Sequence, residues 1–148
     1  MSAGSRALGF SWPVLVGLAA LAAPRVVLHD LDLVQEGTFV NALLVFVPLA
    51  CWIGAVLWRR PPRPFLTMVV VGAIYGVFLS AGHQLLWSAS FDGAGPRLGG
   101  KLADVDPAVQ EVVMRTAAVM SSLVTGVVVG AVTGAFAALL CRVVPQRR

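Results

Sequence analysis

Hydrophobic and polar positions along this chain fall into long blocks, not into a short period. Four stretches, 7–24, 37–58, 64–91 and 116–141, contain no Asp, Glu, Lys or Arg. A helix rises about 1.5 Å per residue, so roughly 20 residues cross a hydrocarbon core about 30 Å thick. The blocks predict four membrane-spanning helices over about 9–28, 38–58, 65–87 and 113–141, within a single domain. Strands fit poorly, because a barrel needs at least about eight segments of alternating character and these runs are few and continuous. The predicted fold class is therefore all-α, an integral-membrane four-helix bundle.

Breaker residues refine the boundaries. Pro13 suits the first turn of the first helix, and Pro24 should loosen its last turns. Pro48 predicts a kink in the second span. The connector Arg59-Arg60-Pro61-Pro62-Arg63-Pro64 is tight, which predicts that the second and third spans are antiparallel neighbours. The Gly- and Pro-rich segment 88–105 reads as a solvated loop. Asp106-Pro107 then reads as an N-cap and first-turn proline of a last helix running to about residue 143. That helix would measure roughly 55 Å, so its first turns should stand clear of the membrane or bend. Trp12 and Trp58 fall at one predicted interface and Trp87 at the other, where amphipathic rings anchor helix ends. Trp52 lies deeper, at a packing position.

Composition removes the soluble alternative. The 148 residues are 58% hydrophobic and 12% charged, against about 25% charged in an ordinary soluble domain. The charges that remain are sorted by side. One side of the predicted topology holds Arg6, Arg59, Arg60, Arg63, Arg142, Arg147 and Arg148 and no acid. The other holds all seven acids, Asp30, Asp32, Glu36, Asp92, Asp104, Asp106 and Glu111, with Arg25, Arg97, Lys101 and Arg115. The positive-inside rule then puts both termini in the cytoplasm of a plasma membrane. The net charge of +4 is a topology signal, and the few basic residues, without interleaved aromatics, exclude a nucleic-acid partner. Ten arginines against one lysine suggest a GC-rich, bacterial genome. A competing reading makes 7–22, ending in Ala20-Leu21-Ala22, a cleaved signal peptide; the apolar character that resumes at Val26 speaks for an uncleaved helix.

Small residues recur at four-residue spacing. The fourth span carries Ser122, Gly126, Gly130, Gly134 and Ala138, and the third carries Gly72, Gly76 and Ser80. Such stripes let helix backbones approach closely in lipid, where the hydrophobic drive between helices is weak. They predict a helix-packing seam, either between spans three and four of one chain or between two copies.

Ionisable and amide groups near one end of the spans are the candidate chemistry, since such groups are costly in a membrane. Arg25, His29 and Asp32 share a helical face by spacing, with Asp30 beside them. Asn41 opens the second span, His83 and Gln84 close the third, and Arg115 opens the fourth. The expected site is one outer polar cluster of Arg25, His29, Asp30, Asn41, His83, Gln84 and Arg115. An Arg–Asp–His set suits an anionic headgroup or small anion, and a His–Asp pair suits proton relay. No His-x-x-His spacing supports a metal, so no metal or cofactor is expected. No catalytic residue is assigned either, because no Gly-x-Ser-x-Gly turn is present and Cys51 and Cys141 form no Cys-x-x-Cys pair. Size and span count resemble those of the small multidrug-resistance transporters, but the first span lacks their embedded glutamate. The functional expectation is a small membrane protein acting through helix packing, with lipids, a second copy or a larger membrane protein as partners. The alternatives are a transporter or channel subunit with an outer polar site, and an anionic lipid or small-anion binding protein.

Overall fold

The computed structural model describes residues 7–91 and 96–145. Arg6, Asp92, Arg147 and Arg148, assigned above to loop charges, lie outside these residues. The described residues form α1 (Trp12–Ala20), α2 (Ala23–Asp30), α3 (Phe39–Arg59), α4 (Pro64–Leu85), α5 (Trp87–Ser90), a 3-10 turn at Gly100–Leu102, and α6 (Pro107–Val143). Four helical units are long and apolar enough to cross a membrane: α1 with α2, then α3, α4 and α6. This is the composition of a multi-pass membrane protein. Large apolar side chains face outwards along these helices, among them Phe46, Val124 and Phe136; a surface so apolar calls for lipid or a partner, not water.

The first span is two helices and not one. Pro24 has no N–H to give the carbonyl of Ala20, and the chain tightens before it: Leu21 N–H reaches both Gly17 and Leu18 carbonyls, and Ala22 N–H reaches Ala19. The break thus falls at Leu21 and Ala22, further inside the span than the loosened last turns expected from Pro24 alone. Trp52 of α3 donates its indole N–H to the Leu18 carbonyl at 2.6 Å, and its side chain is fully buried. Beyond α2, Asp32 is left-handed (φ 54°), and Leu33 N–H returns to the Leu28 carbonyl at 2.9 Å, which closes the helix as an αL cap does. Asp32 therefore lies outside the helix and does not share the face of Arg25 and His29.

Spans three and four form the tightest pair. Gly72 lies against Gly126 and Gly130, Gly76 against Ser122 and Leu123, and Gly134 against Phe65 and Met68. A Cβ on Gly72 would stand 2.6 Å from Gly130 Cα, closer than real side chains pack. The small-residue stripes thus meet within one chain; Ser80, at the end of the α4 stripe, is half-buried. The first span packs on α4, where Gly82 receives Val26. The second span differs from expectation. Its closest backbone neighbours are α6 and the first span, and it hardly approaches α4. Bulky side chains fill the space between them instead, with Trp52 and Tyr75 rings edge to face at 6.0 Å.

At the end carrying Arg59, Arg60 and Arg63, the connector is pinned from two sides. Arg60 adopts φ 48° after the last turn of α3, and its guanidinium donates to the carbonyls of Cys141 and Val144 at the end of α6. Cations favour such orphan carbonyls at a helix C-terminus. Gly9 (φ 70°) seats the preceding segment on Pro61, where a Cβ would clash at 2.6 Å.

Candidate functional site

The opposite, acidic end holds the polar residues singled out above, and the structure sorts them into three groups and not one. Asp30 is the last residue of α2 and its side chain is only 5% exposed. Its Oδ2 lies 2.7 Å from His83 Nδ1, on the last turn of α4, and its Oδ1 lies 3.8 Å from His29 Nδ1. Ser90, on α5, donates its hydroxyl to the Asp30 backbone carbonyl at 3.3 Å. The bend at Leu86 that separates α4 from α5 brings Ser90 back over α2. His29 Nε2 is also 3.6 Å from Glu36.

This first group opens into a cavity of about 610 Å³, lined by His29, Asp30, Asp32 and His83, by Trp87 and Phe91, and by Ser121 and Ser122 of α6. With Nδ1–H given to Asp30, neutral His83, which lines this cavity, has Nε2 left as an acceptor. The wall therefore offers a proton acceptor, two carboxylates and two aromatic rings. Such a wall suits a proton, a small cation or a protonated amine, the rings adding attraction for an organic cation.

Arg25 and Asn41 form a second group. Arg25 Nε donates to Asn41 Oδ1 at 3.0 Å. Gln84 and Arg115 form the third, where α4 meets α6. Arg115 Nη1 donates to Gln84 Oε1 at 3.2 Å and Gln84 Nε2 returns to the Arg115 carbonyl at 3.2 Å. Arg115 is held further by Glu111 at 2.8 Å and lies over the Trp87 ring, 4.8 Å from its centroid. Trp87 is thus buried beneath a cation, just beyond the end of α4.

Several contributors lie beyond the residues that the sequence singles out. Ser90 and Phe91 have no signal there, because only the bend after α4 brings them to the cavity. Gln110 is another: it donates to the Ala103 and Val105 carbonyls at 3.1 and 2.7 Å and accepts from Leu98 N–H at 2.9 Å. It organises the segment 98–105 beside a further cavity of about 700 Å³, while most residues of that segment stay exposed, as expected of a solvated loop.

Among the described residues no group of three His, Cys, Asp or Glu side chains is placed to hold a metal ion. Compared with protein-family models, curated proteins and solved structures, the chain matches none.

Proposed function

We propose that this chain is a multi-pass plasma-membrane protein with cytoplasmic termini, whose outward end binds a proton, small cation or protonated amine as a transporter or channel subunit. The observation that carries this reading is the buried Asp30 carboxylate, hydrogen-bonded to His83 on the wall of an open cavity. Packing alone gives little reason for such a pair, since burying two ionisable groups is no more stabilising than burying apolar ones of similar size. Ionisable pairs at the edge of a span are candidates for ion or proton pathways.

Titrating the purified protein with ethylammonium and tetramethylammonium chloride, followed by tryptophan fluorescence, tests the binding step. Trp87 lines the cavity, so wild-type emission should change and saturate, while Trp87→Phe should lose that response. No saturable change with either cation, at any pH where the protein stays folded, would count against the reading.

A second reading, a partner-binding component, draws on one feature of α6. Met120, Val124, Val128, Val132 and Phe136 form an exposed ridge at four-residue spacing, turned away from the glycine seam. Photo-crosslinking from position 128 in native membranes should then give a discrete protein adduct; lipid adducts alone would dismiss it.

A further inference from the structure

Arg25 lies within a span, yet among the described residues no carboxylate pairs with it. Its guanidinium donates from Nε to Asn41 Oδ1, and among the described residues its two terminal nitrogens meet no anionic acceptor. Asn41, its oxygen already occupied, presents an amide NH2. A charged guanidinium in a membrane is costly without a counter-charge, and the acids nearest in sequence, Asp30 and Asp32, are engaged elsewhere or exposed.

Depth identifies the missing partner. Arg25 is five residues before the end of α2 at Asp30, about 8 Å along the axis, and Asn41 stands in the first turn of α3. The set therefore lies near the boundary of headgroups and acyl chains, given the spans' placement in a bilayer proposed above. Arginine presents a planar fork suited to bidentate contact with phosphate oxygens.

We infer that Arg25 and Asn41 form a site for a phosphate-type oxyanion, carried by a lipid headgroup or free in solution, where the first and second spans meet. The site is separate from the Asp30–His83 pair and takes a ligand of opposite charge.

Native mass spectrometry of the full chain in detergent tests it, with wild type, Arg25→Gln, Arg25→Lys and Asn41→Ala checked for matching helicity. The probes are short-chain phosphatidylglycerol, the corresponding diacylglycerol, and inorganic phosphate. The site predicts one phosphatidylglycerol per chain in preference to diacylglycerol, weakened about tenfold or more in Arg25→Gln, the loss of one or two charge-assisted hydrogen bonds. Arg25→Lys keeps the charge but not the fork, so its binding should also fall, and it decides the matter if the Gln variant does not fold. Competition by inorganic phosphate would mark a free oxyanion as the ligand, and lack of competition a headgroup. Equal binding of the two lipids, or wild-type affinity in both Arg25 variants, would overturn the site. Asp30→Asn should leave this binding unchanged, so a failure here and a failure of the cation site are read separately.

Discussion

Trp52 donates its indole N–H to the backbone carbonyl of Leu18, a residue three positions before the break in the first span. A helix interrupted in an apolar setting leaves carbonyls without their usual donors, and each costs free energy unless another group supplies a proton. The Leu18 carbonyl keeps a 3.2 Å bond from Leu21 N–H, which is shared with Gly17, and the second span adds a second, shorter donor from a side chain that also packs edge to face on Tyr75. Trp52→Phe keeps most of the ring but removes the donor. It should lower stability by about 0.5–1.5 kcal/mol, the net worth of one hydrogen bond, measured as unfolding in mixed micelles of rising denaturing-detergent fraction. A value indistinguishable from wild type would mean the broken turn is satisfied without Trp52.

The glycine seam predicts a sharp contrast between positions. Gly72→Ala should separate α4 from α6, because its Cβ would stand 2.6 Å from Gly130 Cα, and overpacking of this kind costs about 1–3 kcal/mol. At Gly54 an added Cβ would meet nothing within 4 Å, so alanine should be accepted with stability unchanged or raised by up to about 1 kcal/mol. Equal effects at both positions, in the same unfolding assay, would deny that the seam holds the two helices together.

Much of this architecture is legible in the sequence. Long uncharged blocks mark the four spans, and glycine spacing marks the helices that approach most closely, because a missing side chain is visible in a sequence as directly as a present one. The adjacency of α3 and α4 is where the sequence misleads. A short proline-rich connector brings two helix ends together, but bulky Trp52 and Tyr75 keep the helices' lengths apart. The polar cluster is legible as a set of residues and not as a geometry. Spacing along one helix says which side chains share its face, whereas the pairing of Asp30 with His83, or of Gln84 with Arg115, depends on how neighbouring helices are rotated against each other.

Arg60 ties the end of α3 to the end of α6. Arg60→Ala removes both hydrogen bonds and leaves the carbonyls of Cys141 and Val144 without this donor. Backbone amides of the last turn of α6 should then exchange faster with deuterium, while those around Gly126 keep their protection. Unchanged exchange at residues 140–144 would show the contact to be incidental.

Gln110 fastens the segment before α6 through three hydrogen bonds. Gln110→Ala should free Leu98, Ala103 and Val105 together, so limited proteolysis of the intact protein should begin at 97–105 at a markedly higher rate. The spans themselves should remain uncut. A wild-type cleavage pattern would place the loop's order elsewhere.

Asp30 and His83 stand at the centre of the proposed function, and cation flux into proteoliposomes tests them together. Asp30→Asn keeps an oxygen able to accept the His83 Nδ1–H and so keeps the fold, while removing the negative charge. Wild-type protein should pass protons or small cations down a gradient, and Asp30→Asn should lose that flux with its unfolding profile unchanged. Equal flux in the two proteins, or none in the wild type, would contradict the proposal that this pair is a functional site.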